Sequence, residues 1–491
     1  NRAGGLRGRL QVPSVLLRNL FINTGDVVGD SSPTQLRRVL RVRDGLAVTV
    51  GIVIGAGILG TPGLIAGYLR DPFVILGMWF FGGVMAGLST LMLAEMAAAL
   101  PEAGGKYVYA RHAWGDTMGF VAGWSEIFVT RGFSGASKAV LISGYLFMLV
   151  HGTTEVPATV FFVLEGPSWL GDIELSWVGV VALAVVLAYF VLHTRGLKAS
   201  TTFQNVTTAI KVVIVLAIAA VGIVGGTASS GVDSTPLISG EATAGLLGYA
   251  LAYQSISFAY YGWEDAAKMS EEVVDPGKSL PKILLGGAIA VMVLYLLMNI
   301  SFLLAMTPAE MAGADLVARE ATAAVFGQTA GLVVLVASLL ILVSSANVNF
   351  LGLPRVAFGL AREGLAPRSL ADVDARGTPR NALIMITIWI GALALTASFE
   401  TLIRFMMTIA ITVDTMVLLA YFKLRASRPD LVRPFRMPGH PVLPAVTLVL
   451  YVAILAILVY TQPDLAMGAG SMLLAMLVAG VITTSRNASR V

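Results

Sequence analysis

Long, uninterrupted apolar blocks restrict the fold of this chain more than any other feature. Residues 47–69 and 74–100 contain at most one charged residue each, and a helix crosses a bilayer with about 20 apolar residues. Lipid offers no hydrogen bonds to the backbone, so such blocks form helices unless they close into a barrel, whose strands alternate over about 10 residues. The sequence therefore predicts an all-α integral membrane protein.

Hydropathy places about twelve transmembrane helices along the chain. They divide it into an N-terminal tail (1–44), a ten-helix core (45–423), two additional helices (424–485) and a C-terminal tail (486–491). Residues 156–170 are apolar but broken by Glu165-Gly166-Pro167, which indicates an interfacial segment. The predicted spans are 45–69, 73–99, 117–150, 175–193, 203–227, 244–269, 282–306, 328–351, 381–398, 400–422, 441–461 and 464–484.

The distribution of basic residues predicts the orientation of the chain. If both termini are cytoplasmic, 27 of the 33 Lys and Arg residues fall in cytoplasmic segments, as the positive-inside rule requires. We therefore expect a multi-pass protein of the cytoplasmic (inner) membrane with its N- and C-termini inside.

Several function classes are excluded by what the sequence lacks. There is no cysteine, so disulfides, thiolate metal sites and cysteine nucleophiles are ruled out, and the four histidines are too scattered to suggest a metal cluster. No nucleophile–base pair stands out. The prediction is a protein without cofactor or metal that is not an enzyme and binds no nucleic acid.

The first predicted span contains the glycine run Gly55, Gly57 and Gly60. This spacing also occurs in dinucleotide-binding loops, but those need a βαβ unit, and here the context is a membrane span. Two interpretations remain. The glycines permit close helix packing, or they interrupt the helix in mid-membrane, which is tolerated where the backbone lines a cavity and forms the binding sites of transporters.

The sixth predicted span offers a matching interruption. Polar and aromatic residues surround Gly262, and Glu264 and Asp265 follow at once. Spans one and six are the first members of two five-helix units, as an inverted five-plus-five repeat requires.

Five motifs in this order resemble the amino acid–polyamine–organocation (APC) superfamily, particularly its L-type and cationic amino acid transporter branches. The resemblance covers nearly the whole chain after residue 40. The motifs are Gly51–Gly60, Ala94–Met96 with Pro101–Tyr109, Phe258–Trp263 with Glu271–Pro281, Ala361–Pro367, and Arg428–Phe435.

The resemblance implies the leucine-transporter fold, with broken helices 1 and 6, working by alternating access. It also implies substrate contacts. The substrate carboxylate would meet the backbone of Gly55, Ala56 and Gly57, and its amine would meet carbonyls near Val53 and at the second break. The implied contacts at that break are Phe258, which would also act as a gate, Ala259, Tyr261 and the adjoining Gly262.

Charges inside the spans are candidates for coupling and selectivity. Lys211 lies about eight residues into span five, and burying a charge in hydrocarbon costs at least ~2.5–3.5 kcal/mol. Ser344 and Ser345 of span eight lie at a similar depth. In sodium-independent members of the superfamily a lysine of this helix looks like a replacement for a bound sodium ion. The alternative is a structural tether to span one or eight.

Arg131, Glu264 and Asp265 each allow two interpretations. Arg131 could line the site and favour acidic substrates, or it could pair with Glu126 or another buried acid. Glu264 and Asp265 could bind a cationic side chain or relay a proton, or they could form salt bridges in a vestibule.

The sequence thus predicts a sodium-independent secondary transporter of amino acids, coupled to protons or working by exchange. A polyamine or organic amine carrier and a non-transporting nutrient receptor are the alternatives. The expected partners are a small amino acid or amine, the lipid bilayer and possible proton co-substrates. L-type members that pair with a heavy chain do so through a cysteine, and with none here a disulfide-linked heavy chain is excluded.

Overall fold

The structure is a computed structural model of the chain. It describes residues 40–102, 104–156, 160–166, 173–195, 197–225, 245–268, 270, 273–374 and 379–488. Most of the predicted N-terminal tail (1–39) and the last three residues (489–491) lie outside the described residues.

The described residues are mostly helical, and they also include one pair of antiparallel strands and irregular connections such as residues 428–441. A π-helical turn, Glu126–Arg131, lies between α6 and α7, and a 3-10 turn, Arg368–Ala371, follows α15. The elements are α1 Val42–Val53, α2 Ala56–Gly60, α3 Pro62–Leu69, α4 Pro72–Ala99, α5 Lys106–Trp114, α6 Asp116–Ser125, α7 Gly132–His151, β1 Val160–Leu164, β2 Ile173–Ser176, α8 Trp177–Thr194, α9 Leu197–Gly225, α10 Leu246–Tyr260, α11 Asp265–Lys268, α12 Pro276–Ala305, α13 Pro308–Ala312, α14 Val317–Phe326, α15 Gln328–Arg362, α16 Arg380–Thr396, α17 Phe399–Ser427, α18 Val442–Thr461 and α19 Pro463–Ala488.

Nine helical stretches within the described residues are long and apolar enough to cross a membrane. Two shorter apolar stretches, Ile210–Gly225 and Arg380–Thr396, and the 15-residue helix α10 lie in the remaining predicted spans. The prediction of a helical, multi-pass membrane protein is confirmed.

The helices that carry the candidate site pack around one another in the centre of the protein. α12 runs along α1, α4 and α9, while α10 packs against α3, α4 and α17, and α7 packs against α15. The apolar residues on these facing surfaces are buried. The two interrupted helices are therefore held on several sides.

Two features differ from simple spans. Residues 156–170, predicted to be interfacial, contribute β1, which pairs antiparallel with β2. α15 continues well past its predicted end at 351, through Pro354, to Arg362.

A buried carboxylate fixes the segment between α17 and α18. Glu95, near the end of α4, accepts two hydrogen bonds from Arg425, at 2.8 and 2.6 Å, and one from the backbone N–H of Met437 at 2.8 Å. Arg433 lies 3.4 Å from the same carboxylate. This arrangement satisfies a charge that would be costly to bury alone.

Candidate functional site

The first interrupted helix breaks at Ile54 and Gly55. α1 ends at Val53, Ile54 is extended (φ −65°, ψ 109°), and α2 begins at Ala56. A Cβ atom on Gly55 would lie 3.0 Å from the Cβ of Ser345 and closer still to its hydroxyl oxygen. A glycine is thus required here by the close approach of α15.

The second interruption follows α10. Tyr261 is extended (φ −67°, ψ 136°) and Gly262 has a φ of +112°, a conformation that favours glycine. The N–H of Gly262 donates to Oε2 of Glu264 at 3.3 Å, and α11 begins at Asp265. The polypeptide therefore turns sharply without regular helical hydrogen bonds.

The two interruptions face each other at very short range. A Cβ on Gly57 would lie 2.8 Å from the Cβ of Ala259 and would overlap its Cα. The hydroxyl of Tyr295, a fully buried residue of α12, lies 3.0 Å from the carbonyl oxygen of Val53 and 3.2 Å from that of Ala259. Tyr295 thereby connects the carbonyl groups of both interruptions.

A small cavity of about 20 Å³ lies between the interruptions, enough for about one water molecule. Ala259 and Gly262 adjoin the cavity without lining it. The ring of Phe258 meets that of Phe399 edge to face, 6.0 Å between centroids. The cavity is lined by the predicted residues Val53, Gly55, Ala56, Gly57, Phe258, Tyr261, Arg131 and Ser345, together with Ile52, Thr130, Ser134, Lys138 and Met406.

Lys211 reaches the first interruption from α9. Its side chain is fully buried, and its Nζ donates to the carbonyl of Ile54 at 3.3 Å. One turn earlier on α9, the hydroxyl of Thr207 donates to that of Ser344 on α15 at 2.9 Å. The side-chain nitrogen of Lys211 therefore lies against a carbonyl that the interruption leaves outside α1.

Arg131 belongs to an ion cluster rather than standing alone in the cavity wall. Its guanidinium pairs with Glu126 at 2.9 Å and with Asp265, and Lys268 pairs with the same two carboxylates. These four side chains are at most 19% exposed. The ion pairs are those that one interpretation of Arg131 and Asp265 predicted, and Arg131 also lines the cavity, as the other interpretation of Arg131 predicted.

A second ion cluster adjoins the first below Tyr261. Nζ of Lys106 lies 3.0 Å from the Tyr261 hydroxyl, 3.0 Å from Glu264 and 2.6 Å from Asp414. Burial by itself lowers the pKa of Lys106, but the carboxylates of Asp414 and Glu264 outweigh it and hold the pKa well above its usual value. Lys106 is therefore charged throughout the neutral range.

Sequence reasoning did not select Lys106, Asp414 or Tyr295 as site residues. Two of these residues could have been selected, because Lys106 lies inside one of the five motifs and Asp414 is an acid in the middle of a predicted span. Nothing in the sequence indicated Tyr295, because aromatic residues are common in apolar spans. Lys138 lines the cavity, with its Nζ 3.3 Å from the carbonyl of Ser345.

Sequence comparison identifies the family. Residues 42–482 match the family described as amino acid permease. The chain belongs to that family. This match confirms the predicted membership of the APC superfamily, and with it a membrane permease rather than an enzyme.

Relatives of the permease are named as transporters. It is 27% identical over 411 residues to the b(0,+)-type amino acid transporter 1 of Mus musculus, covering 82% of this chain and 80% of the relative. The cationic amino acid transporter 1 of Arabidopsis thaliana is 30% identical over 390 residues, 79% of this chain and 62% of the relative. The methylthioribose transporter of Bacillus subtilis (strain 168) is 25% identical over 429 residues, 85% of this chain and 87% of the relative.

Proposed function

We propose that the permease is a secondary active transporter of amino acids that works by alternating access. The observation that carries the proposal is the pair of interrupted helices facing each other across a cavity. The first N–H groups of a helix have no partner within it and attract a carboxylate. Beside the cavity, the carbonyls of Val53 and Ala259 accept from the Tyr295 hydroxyl, and each carbonyl oxygen has a second lone pair that could take an ammonium group.

The head group of an α-amino acid matches this pattern of donors and acceptors. Its carboxylate would take the N–H groups of Gly55, Ala56 and Gly57, where α2 continues through Thr61 into α3. Its amine would take carbonyls near Val53 and at Phe258, Ala259 and Tyr261. These contacts come from the backbone, so they select the head group and leave the side chain to other cavity residues.

The architecture we propose is the leucine-transporter fold with twelve spans. Ten spans would form the transport core over 45–423 and two would follow over 424–485. The basic residues support cytoplasmic termini and a location in the cytoplasmic membrane. Eight of them lie before residue 45, where the positive-inside rule is most influential.

We further propose that transport is independent of sodium and is either proton-coupled symport or exchange. The contact of Lys211 with the Ile54 carbonyl supports this, because an ammonium group there supplies the positive charge that a bound cation would otherwise bring. We also propose that the carrier has no disulfide-linked heavy chain, because its sequence contains no cysteine.

A thermal-shift screen with purified permease tests the proposal. A ligand that binds only the folded state raises the midpoint in proportion to the logarithm of its concentration over its Kd. The screen contains the proteinogenic amino acids, agmatine, putrescine and methylthioribose, the last because one relative is named for it. We expect stabilisation by amino acids. Stabilisation by decarboxylated amines alone would support the polyamine alternative and remove the role of Gly55–Gly57.

Flux measurements then separate a carrier from a nutrient receptor. In proteoliposomes, uptake that requires amino acid inside the vesicle indicates exchange, and uptake driven by an inward proton gradient indicates symport. Binding without either flux would refute proton-coupled symport and exchange, and it would favour the nutrient receptor.

A further inference from the structure

The hairpin of β1 and β2 presents an apolar face. Directly paired residues of a hairpin share a face, and alternate residues of a strand return to it. The pairs Leu164–Ile173 and Phe162–Leu175 therefore place four apolar side chains on one side. Phe162 and Leu164 are each 52% exposed, so the described part of the chain leaves about half of each side chain uncovered.

The opposite face has a different character. It carries Val163 paired with the exposed Glu174. One side of the hairpin is thus wholly apolar, whereas the other combines Val163, which is 51% exposed, with the carboxylate of Glu174. An exposed apolar strand with a free edge is an aggregation hazard in water.

The hairpin is joined directly to a membrane helix. Ser176, the last residue of β2, caps α8 by accepting a hydrogen bond from the N–H of Gly179 at 3.1 Å. α8 is a candidate span whose outward residues include Trp177, 58% exposed, and Leu187, 49% exposed. Because no linker intervenes, the hairpin lies at the level where this lipid-facing surface begins.

An aromatic pair marks that level. The ring of Phe161 lies 5.4 Å from that of Trp177, between centroids, and tryptophan at the end of a span is typical of the interface between acyl chains and head groups. The apolar surface of α8 therefore continues into the hairpin.

We propose that the apolar face formed by Phe162, Leu164, Ile173 and Leu175 lies on the acyl chains of the leaflet in which α8 begins. The face anchors this loop in the membrane interface and turns Glu174 toward water. Lipid is the occupant, because the surface that continues into this face already belongs to a membrane span.

These 491 residues contain no cysteine, which allows a direct test by single-cysteine labelling. The full-length variant Phe162→Cys is labelled with bimane and reconstituted in phosphatidylcholine vesicles. Leu164→Cys is a second variant on the same face, Glu174→Cys is the matched control on the other face, and Leu187→Cys is the lipid-facing reference. Emission is measured with a doxyl-labelled phosphatidylcholine in the bilayer and, separately, with aqueous iodide.

We expect the doxyl lipid to quench the labels at 162 and 164, as it quenches the label at 187. We expect iodide to quench them little. The label at 174 is expected to respond to iodide. Equal iodide quenching at 162 and 174 would overturn the proposal. So would shielding from both quenchers that increases with the ratio of protein to lipid, because a second copy of the chain would then cover the face. An unchanged thermal midpoint shows that each variant is folded.

Discussion

The contact between Gly57 and Ala259 predicts a large effect of the smallest possible substitution. In Gly57→Ala, the added Cβ would lie 2.8 Å from the Cβ of Ala259 and would overlap its Cα. The helical conformation of Gly57 accepts alanine, so the cost is steric. Rotation of a side chain cannot remove this overlap, because the obstructing atom is a backbone Cα. The two interrupted helices must therefore move apart.

Overpacking of this kind costs about 1–3 kcal/mol, which corresponds to about 5- to 150-fold in an equilibrium constant. If the substrate is held between these interruptions, Gly57→Ala weakens its binding by that factor. The assay is the Kd of the amino acid found in the ligand screen, measured on detergent-purified protein beside its thermal midpoint. Gly77→Ala in α4 is the matched control, because a Cβ there meets nothing within 4 Å.

Second-site variants sharpen the test. Ala259→Gly should not rescue Gly57→Ala, because the overlapping Cα remains. Gly55→Ala meets the hydroxyl of Ser345 first and its Cβ at 3.0 Å, so Ser345→Ala should restore part of the affinity. Wild-type affinity in Gly57→Ala, or its full rescue by Ala259→Gly, would refute the close-contact argument.

Three other substitutions follow from individual contacts. Lys211→Ala should abolish uptake, because it removes the amine that contacts the Ile54 carbonyl. Uptake by the wild type should be equal in sodium and choline buffers, and stimulation by sodium would contradict the proposed role of Lys211. Tyr295→Phe leaves two buried carbonyls without their shared hydroxyl, so the stability should fall by about 1–3 kcal/mol, seen as a lower thermal midpoint, while Tyr249→Phe at an exposed position should not change it. Glu95→Gln should lower the midpoint by weakening the contact with Arg425 and leave KM unchanged; a raised KM would link this contact to the candidate site.

The sequence predicted the helical membrane protein because apolar length alone requires it. It also located the glycines at which α1 is interrupted, since glycine in mid-membrane is unfavourable for a helix unless the backbone has another use. The exact end of each helix could not be predicted from the sequence, because helix ends depend on neighbouring elements. β1 and β2 could not be predicted either, since an interfacial segment of this length fits a hairpin or a helix equally well.

The sequence allowed the pairing of Arg131 with Glu126 as one interpretation, but it did not identify the second acid that Arg131 contacts. Arg131 and Asp265 are separated by 134 positions, and each had several possible partners. They meet because Asp265 and Lys268 of α11 form ion pairs with Arg131 and Glu126 of the π-helical turn. The role of Tyr295 could not be predicted for the same reason. Its hydroxyl contacts two carbonyls that belong to other helices, and the sequence does not show which helices meet.

Tyr261 links the cavity to the ion clusters. It lines the cavity, and its hydroxyl lies 3.0 Å from Nζ of Lys106, which also contacts Glu264 and Asp414. A cavity with room for about one water cannot hold an amino acid, so binding has to displace some wall. On the other side, the wall is the contact of Phe258 with Phe399. If the substrate moves Tyr261, it disturbs the cluster around Lys106, whereas rotation of the Phe258 ring breaks its contact with Phe399 without moving Lys106. In the alternating access that we propose, this difference would let the two sides open separately.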